Sequence, residues 1–149
     1  MNPTLESTEA LVRMKFAGQT DDAGVPMADH MMRVWQRVQH LDQDTQHIAW
    51  LHDILEDTDL TGGDLFDMGY DEIVVNAVLL LTKPDSLTYH EYINRLCESG
   101  DWRAISVKLA DNADNTDPKR WLYLNPYKAN ALTKRYHGVR EKLLKALEN

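Results

Sequence analysis

Apolar positions recur along this chain at helical spacing, and no stretch alternates polar and apolar residues long enough for a half-buried strand. The pattern predicts an all-α fold. A first helix is expected over about Leu5 to Ala17, stopped by Gly18. After a polar loop from Gln19 to Val25, a second begins around Pro26, whose fixed φ and missing donor suit a first helical position. A third runs from about Asp44 to Glu56, with Ile48, Leu51 and Leu55 on one stripe, and Thr58 to Gly63 breaks it. Leu65 to Met68 is expected to form a short helix ended by Gly69, and Asp71 to cap the apolar stretch from Glu72 to Thr82, which Pro84 ends. Thr88 and Glu91 have capping-box spacing and open a helix that closes at Gly100. Another starts near Asp101 and extends toward Pro118, and a last long helix is expected from Pro126 to Leu147. No repeat or long linker divides the chain, so residues 1–149 are expected to form one domain, a helical bundle.

Composition narrows what such a bundle does. Of 149 residues, 43% are hydrophobic and 27% charged, the profile of an ordinary globular protein with a real core rather than a disordered acidic segment. Asp and Glu number 24 against 16 Lys and Arg, giving a net charge of -8, which disfavours duplex nucleic acid and anionic membranes as partners. Cys97 has no second cysteine to pair with and is expected on the core side of its helix. Glu6, Glu9, Arg13 and Lys15 interrupt the opening stretch, so no secretory leader is expected and the setting is taken as cytoplasmic. The apolar run ending at Ala77 to Leu81 is far short of the roughly 20 residues needed to span a bilayer. Trp121, Tyr123, Tyr127 and Leu132 near the last helix suit packing within the chain or against a second copy, which leaves the oligomeric state open.

Candidate chemistry gathers at His52-Asp53-Ile54-Leu55-Glu56-Asp57. On a continuous helix His52 and Glu56 stand one turn apart, as do Asp53 and Asp57, so all four project from an arc of roughly 140°. An isolated His-Asp pair is usually a solvated face. Two further residues shift that balance: His30 at the start of an amphipathic helix, and Asp111 at the end of the apolar approach Val107-Lys108-Leu109-Ala110. A lone carboxylate is costly to bury, whereas a metal ion satisfies it. Two imidazoles with two carboxylates form a borderline donor set that suits manganese, iron, cobalt or zinc better than magnesium. Lys108, Lys83 and Arg33 are the basic residues nearest these motifs, while His40, His47, His90 and His137 are expected to be surface or half-buried histidines.

In the order His30, His52-Asp53, Asp111, the sequence resembles the HD-domain metal-dependent phosphohydrolases, and within them the hydrolase half of RelA/SpoT proteins and the small alarmone hydrolases. Gly18-Gln19, Gly24, Pro26 and His30 look like their entry motif, and His52-Asp53-x-x-Glu56-Asp57-Thr58 like their central one. Leu81-Thr82-Lys83 resembles the end of their following helix, Lys108-Leu109-Ala110-Asp111-x-x-x-Asn115 their last motif, and Arg135-Tyr136 a C-terminal echo. The resemblance implies an all-helical bundle around a divalent metal, most often Mn2+, held by His30, His52, Asp53 and Asp111. It implies Glu56 and Asp57 as the catalytic carboxylates that orient or deprotonate water, and Asn115 and Tyr136 as substrate-binding residues. The implied substrate is a small nucleotide, guanosine tetra- or pentaphosphate, losing pyrophosphate from its 3′ position. Those enzymes usually carry a basic pair after Gly-Gln, where this chain has Thr20-Asp21-Asp22. With Asp114, these acids are expected close to the mouth of the site, which keeps two alternatives open: a phosphohydrolase of another nucleotide or phosphorylated cofactor, and a metal-binding regulatory module without turnover.

Overall fold

A computed structural model describes residues 2–121 and 124–148; Tyr123 and the side chain of Trp121 lie outside this description. The elements are α1 (Leu5–Lys15), α2 (Met27–Arg37), α3 (Gln43–Leu51), α4 (Ile54–Asp57), α5 (Gly62–Asp67), α6 (Glu72–Leu80), α7 (Tyr89–Ser99), α8 (Trp102–Asn115), α9 (Pro118–Trp121), α10 (Pro126–Tyr136) and α11 (Val139–Glu148). Among the described residues the only β-type pairing is an isolated antiparallel bridge, Thr20 to Pro26, which pinches the loop between α1 and α2. The all-α expectation holds.

Local chemistry sets most of the helix starts. Asp42, Asp71 and Asp101 each accept a backbone N–H in the first turn of α3, α6 and α8. Thr88 and Glu91 close the expected capping box on α7, which ends at Gly100 in the left-handed region. A second capping box, Thr61 with Asp64, starts α5 before the expected Leu65, so Gly62 and Gly63 are helical. Pro26 is the N-cap of α2, one residue earlier than the first helical position expected of it.

α3 occupies the centre, with Ile48, Ala49, Trp50 and Leu51 all buried, and packs against α1, α2, α6 and α8. The buried face of α8 changes character along its length: Ala104, Ile105 and Val107 continue the apolar core, after which Lys108, Asp111, Asn112 and Asp114 are buried polar groups. α11 closes over α7 and α8 with Val139 and Leu143.

Two long helices of the sequence reading are each two in the structure. The expected helix to Glu56 stops at Leu51; His52 caps it, and Asp53, at φ -105 and ψ 1, leaves helical geometry before α4 resumes at Ile54. The buried apolar residues Leu51 and Ile54 on either side anchor the break. The expected helix from Pro126 to Leu147 divides at His137 and Gly138, where Gly138 takes φ 75, a conformation that an L side chain strains to adopt.

Candidate metal centre and cleft

His30 lies on the buried face of α2 with Ala28, Met31 and Val34, so core packing aims its ring inward. The break after α3 presents His52 and Asp53, and α8 presents Asp111. These four residues offer donor atoms that all lie within 4.8 Å of one another. His30 Nε2 is 2.9 Å from Asp111 Oδ1 and 3.8 Å from Asp53 Oδ2, while His52 Nε2 is 3.2 Å from Asp53 Oδ2 and 3.4 Å from Asp111 Oδ1.

The donor set fits a divalent ion. His52 Nδ1 donates to the Ala49 carbonyl at 2.7 Å, which turns Nε2 to the centre, and that buried nitrogen has no hydrogen-bond partner among the described residues. His30 Nδ1 donates to Asp114 Oδ2 at 2.6 Å, which leaves Nε2 as the nitrogen that faces the centre, where it meets Asp111 Oδ1 at 2.9 Å. Electrostatics agree. Burial pushes both imidazoles down, but Asp53 and Asp111 outweigh it at His52 and hold that ring well above its ordinary pKa, and His30 is raised through Asp111 and Asp114. Burial also opposes the charge on Asp111, yet Lys108, His30 and His52 keep it well below the usual carboxylate range. The centre is built to hold positive charge.

Asp114 is not at the mouth, contrary to expectation. It is 1% exposed and sits beneath His30, accepting from Arg33 Nε at 2.8 Å and from Arg120 Nη1 at 3.1 Å as well. Burial raises its pKa, but the hydrogen bonds from His30 and Arg33 bring it to about 2. Its position was foreshadowed by helical spacing, since Asp111 and Asp114, like His30 and Arg33, stand at i,i+3. Lys108 is buried, donates to Asp111 Oδ2 at 2.8 Å, and has its ammonium over the rings of Tyr89 and Tyr92.

A cleft of about 390 Å³ opens above the centre, lined among others by Glu56, Asp57, Lys108, Asn115, Arg120 and Arg135, with Tyr89 and Tyr136 on one wall. Glu56 accepts the backbone N–H of Lys83, and burial together with Asp53 raises its pKa; Asp57 is raised by the same two causes. Lys83 itself lines a neighbouring groove, its ammonium on the Pro84 carbonyl. Asn115 donates to Asp111 Oδ1 at 2.9 Å and accepts from Arg120 at 2.9 Å, so its amide braces the site. Tyr136 packs edge-on against Tyr89, and burial raises its phenol to about 12. Asp22 is exposed at the rim, whereas Asp21 is tied down by the Ala23 and Val25 amides and by Arg120. Arg120 carried no legible signal in the sequence, because its bonds to Asp114 and Asn115 cross the gap between α8 and α9 and its third partner, Asp21, comes from the loop before α2. His40, His90 and His137 are exposed as expected, but His47 is buried, and Cys97 is partly buried against the core.

No family model matches the chain. Over 122 residues it is 30% identical to a guanosine-3′,5′-bis(diphosphate) 3′-pyrophosphohydrolase of Vibrio cholerae serotype O1, a match covering 74% of this chain and 17% of that enzyme. The chain therefore spans only a small part of this curated relative's length. A solved structure of a metazoan ortholog of SpoT, described as hydrolyzing ppGpp and playing a role in starvation responses, matches with a TM-score of 0.65 at 22% identity, over 99% of this chain and 97% of its own. The all-helical fold is that of the SpoT ortholog, and the resemblance to the hydrolase half of RelA/SpoT proteins is borne out by the curated relative.

Proposed function

We propose that this chain is a metal-dependent phosphohydrolase, a guanosine-3′,5′-bis(diphosphate) 3′-pyrophosphohydrolase, formed as one HD-type domain over residues 1–149 and acting in the cytoplasm. The observation that carries this reading is the convergence of His30, His52, Asp53 and Asp111 at the floor of a cleft that Glu56 and Asp57 also line. These four residues would hold the metal, with Mn2+ the ion favoured by the resemblance and compatible with the donor set. When bound, such an ion polarises a phosphate oxygen and lowers the pKa of water.

The protein's own groups do the rest. Glu56 or Asp57 takes the proton from the attacking water, and the upward shift of both carboxylates moves them toward the pH at which a general base works best. Lys108 and Arg135 bring positive charge to a polyanion lying in the cleft. The water oxygen bonds to phosphorus, the bond from phosphorus to the 3′ oxygen breaks, and the proton held by the carboxylate passes to that oxygen, leaving pyrophosphate and a nucleotide with a free 3′ hydroxyl. Asn115 and Tyr136 are the substrate-contacting residues of this scheme, Asn115 by way of the amide that also braces Asp111.

Release of pyrophosphate from guanosine tetraphosphate, lost on chelation and in Asp53→Ala, is the expected result. Full turnover by Glu56→Ala with metal still bound would remove Glu56 from the role of base. Exposed Asp22 at the rim favours a second substrate, another nucleotide or a phosphorylated cofactor, and a panel of these in the same assay decides between them. A chain that binds metal and turns over none of them is a regulatory module instead.

A further inference from the structure

Arg120 is the point at which the loop between α1 and α2 meets the metal centre. Its Nη2 donates to Asp21 Oδ2 at 3.0 Å, and its Nη1 donates to Asp114 Oδ2 at 3.1 Å and Asn115 Oδ1 at 2.9 Å. Each of those acceptors is committed elsewhere. The other oxygen of Asp21 holds the loop by accepting the N–H groups of Ala23 at 2.9 Å and Val25 at 3.0 Å. Asp114 Oδ2 is also the oxygen that takes His30 Nδ1 at 2.6 Å, and Asn115 bonds Asp111. One planar guanidinium thus bridges a mouth loop to the partners of two candidate metal ligands, a geometry that a lysine cannot reproduce because it is a point charge without the fork.

We infer that Arg120 is a positioning residue that couples the loop of residues 20–26 to the metal centre through Asp114 and His30. The inference rests on the proposed metal centre but not on the identity of the substrate. It also assigns Asp21 a purpose. The acid that stands where a basic residue was expected anchors the guanidinium, so its charge is neutralised within the protein. Coupling of this kind is reciprocal: if the loop steadies the orientation of His30, metal bound to His30 steadies the loop. Arg33 supplies the internal contrast, since it holds the other oxygen of Asp114 and has no bond to the loop.

The test is Mn2+ affinity by calorimetry, paired with hydrogen exchange at Ala23 and Val25 with and without saturating Mn2+, on the full chain. In the native protein Mn2+ is expected to slow exchange at these two amides. Arg120→Ala and Arg120→Lys are each expected to weaken Mn2+ binding by about 10- to 100-fold, the range for orienting partners of a metal ligand. They are also expected to abolish the Mn2+-dependent slowing even at saturation. Arg33→Ala should weaken Mn2+ binding and keep the slowing. Asp21→Asn should weaken binding in the native background and have no effect in Arg120→Ala. Native Mn2+ affinity in Arg120→Ala, or retained slowing in that variant, overturns the inference, and a metal-free melting temperature within a few degrees of native separates either result from misfolding. Failure of the native chain to bind Mn2+ overturns both this and the proposed function, whereas coupling without turnover of any guanosine polyphosphate overturns the function alone.

Discussion

His47 and His52 come from the same stretch of chain and are buried to a similar degree, 6% and 2% exposed, yet their surroundings are opposite. His47 shares Nδ1 with the Thr8 hydroxyl at 2.9 Å, and that hydroxyl meets Tyr70 at 2.6 Å; burial pushes the ring below its ordinary pKa of 6.5, with only a partial counter-effect from Asp44. His52 has one nitrogen spent on a carbonyl and the other left without a hydrogen bond between two carboxylates, which raise it well above 6.5. Burial therefore does not mark a ligand. A buried ring nitrogen without a hydrogen bond, turned toward two carboxylates, marks a candidate.

The sharpest way to break this contrast is at the acids. Asp53→Ala is expected to reduce pyrophosphate release to background and to abolish tight Mn2+ binding, while His47→Asn keeps both per folded molecule; a turnover assay with calorimetry checks the pair. Next in size is Lys108→Ala, which strands Asp111 without its buried cation. Urea unfolding of the metal-free protein should show a loss of about 3 to 5 kcal/mol, the range for breaking a buried ion pair from one side. Thr8→Val acts on the other histidine only: His47 Nδ1 and the Tyr70 hydroxyl lose their shared partner, at about 1 to 3 kcal/mol by the same measurement, with Mn2+ affinity unchanged.

The smallest effect is a pH dependence. Because the pKa of folded His47 is depressed, the unfolded chain binds more protons just below pH 6.5, so this residue makes the fold less stable as pH falls through that window. His30 and His52 act with the opposite sign in metal-free protein, their raised pKa values favouring the fold at low pH and losing that contribution as pH rises. The quantity to follow is therefore the difference in melting temperature between the native protein and His47→Asn. It should shift in favour of the variant as pH drops from 7 to 5.5, and a constant difference would contradict the assignment.

Sequence periodicity recovered most helices because their starts are local: Thr88 with Glu91, Asp71 and Asp101 are caps whose partners lie within one turn. The candidate ligand set was legible for a similar reason, as an acid amid apolar neighbours at Asp111 and an adjacent pair at His52-Asp53. What escaped was tertiary. Asp114 looked like surplus charge near the mouth because its three donors come from α2 and from beyond the end of α8. The break at Asp53 was invisible because an apolar stripe at helical spacing runs through it, and only the convergence of two neighbouring side chains on one point requires the backbone to leave the helix there.

That break has a consequence for how the site acquires its ion. On an unbroken helix consecutive side chains diverge by about 100°, which turns neighbours away from one centre. Here the bend is clamped between the buried side chains of Leu51 and Ile54, and a backbone carbonyl holds the His52 ring in the orientation that would offer Nε2 to an ion. The ordering entropy is thus spent during folding rather than at binding, so chelation should silence the protein without unfolding it, unlike a zinc finger. A rigid set of this kind sets the number and spacing of donors but does not select the element. Across first-row divalent ions intrinsic affinity rises from manganese toward copper and zinc. The metal found in the purified chain will then report the supply in the cell that made it, and manganese occupancy will depend on that supply.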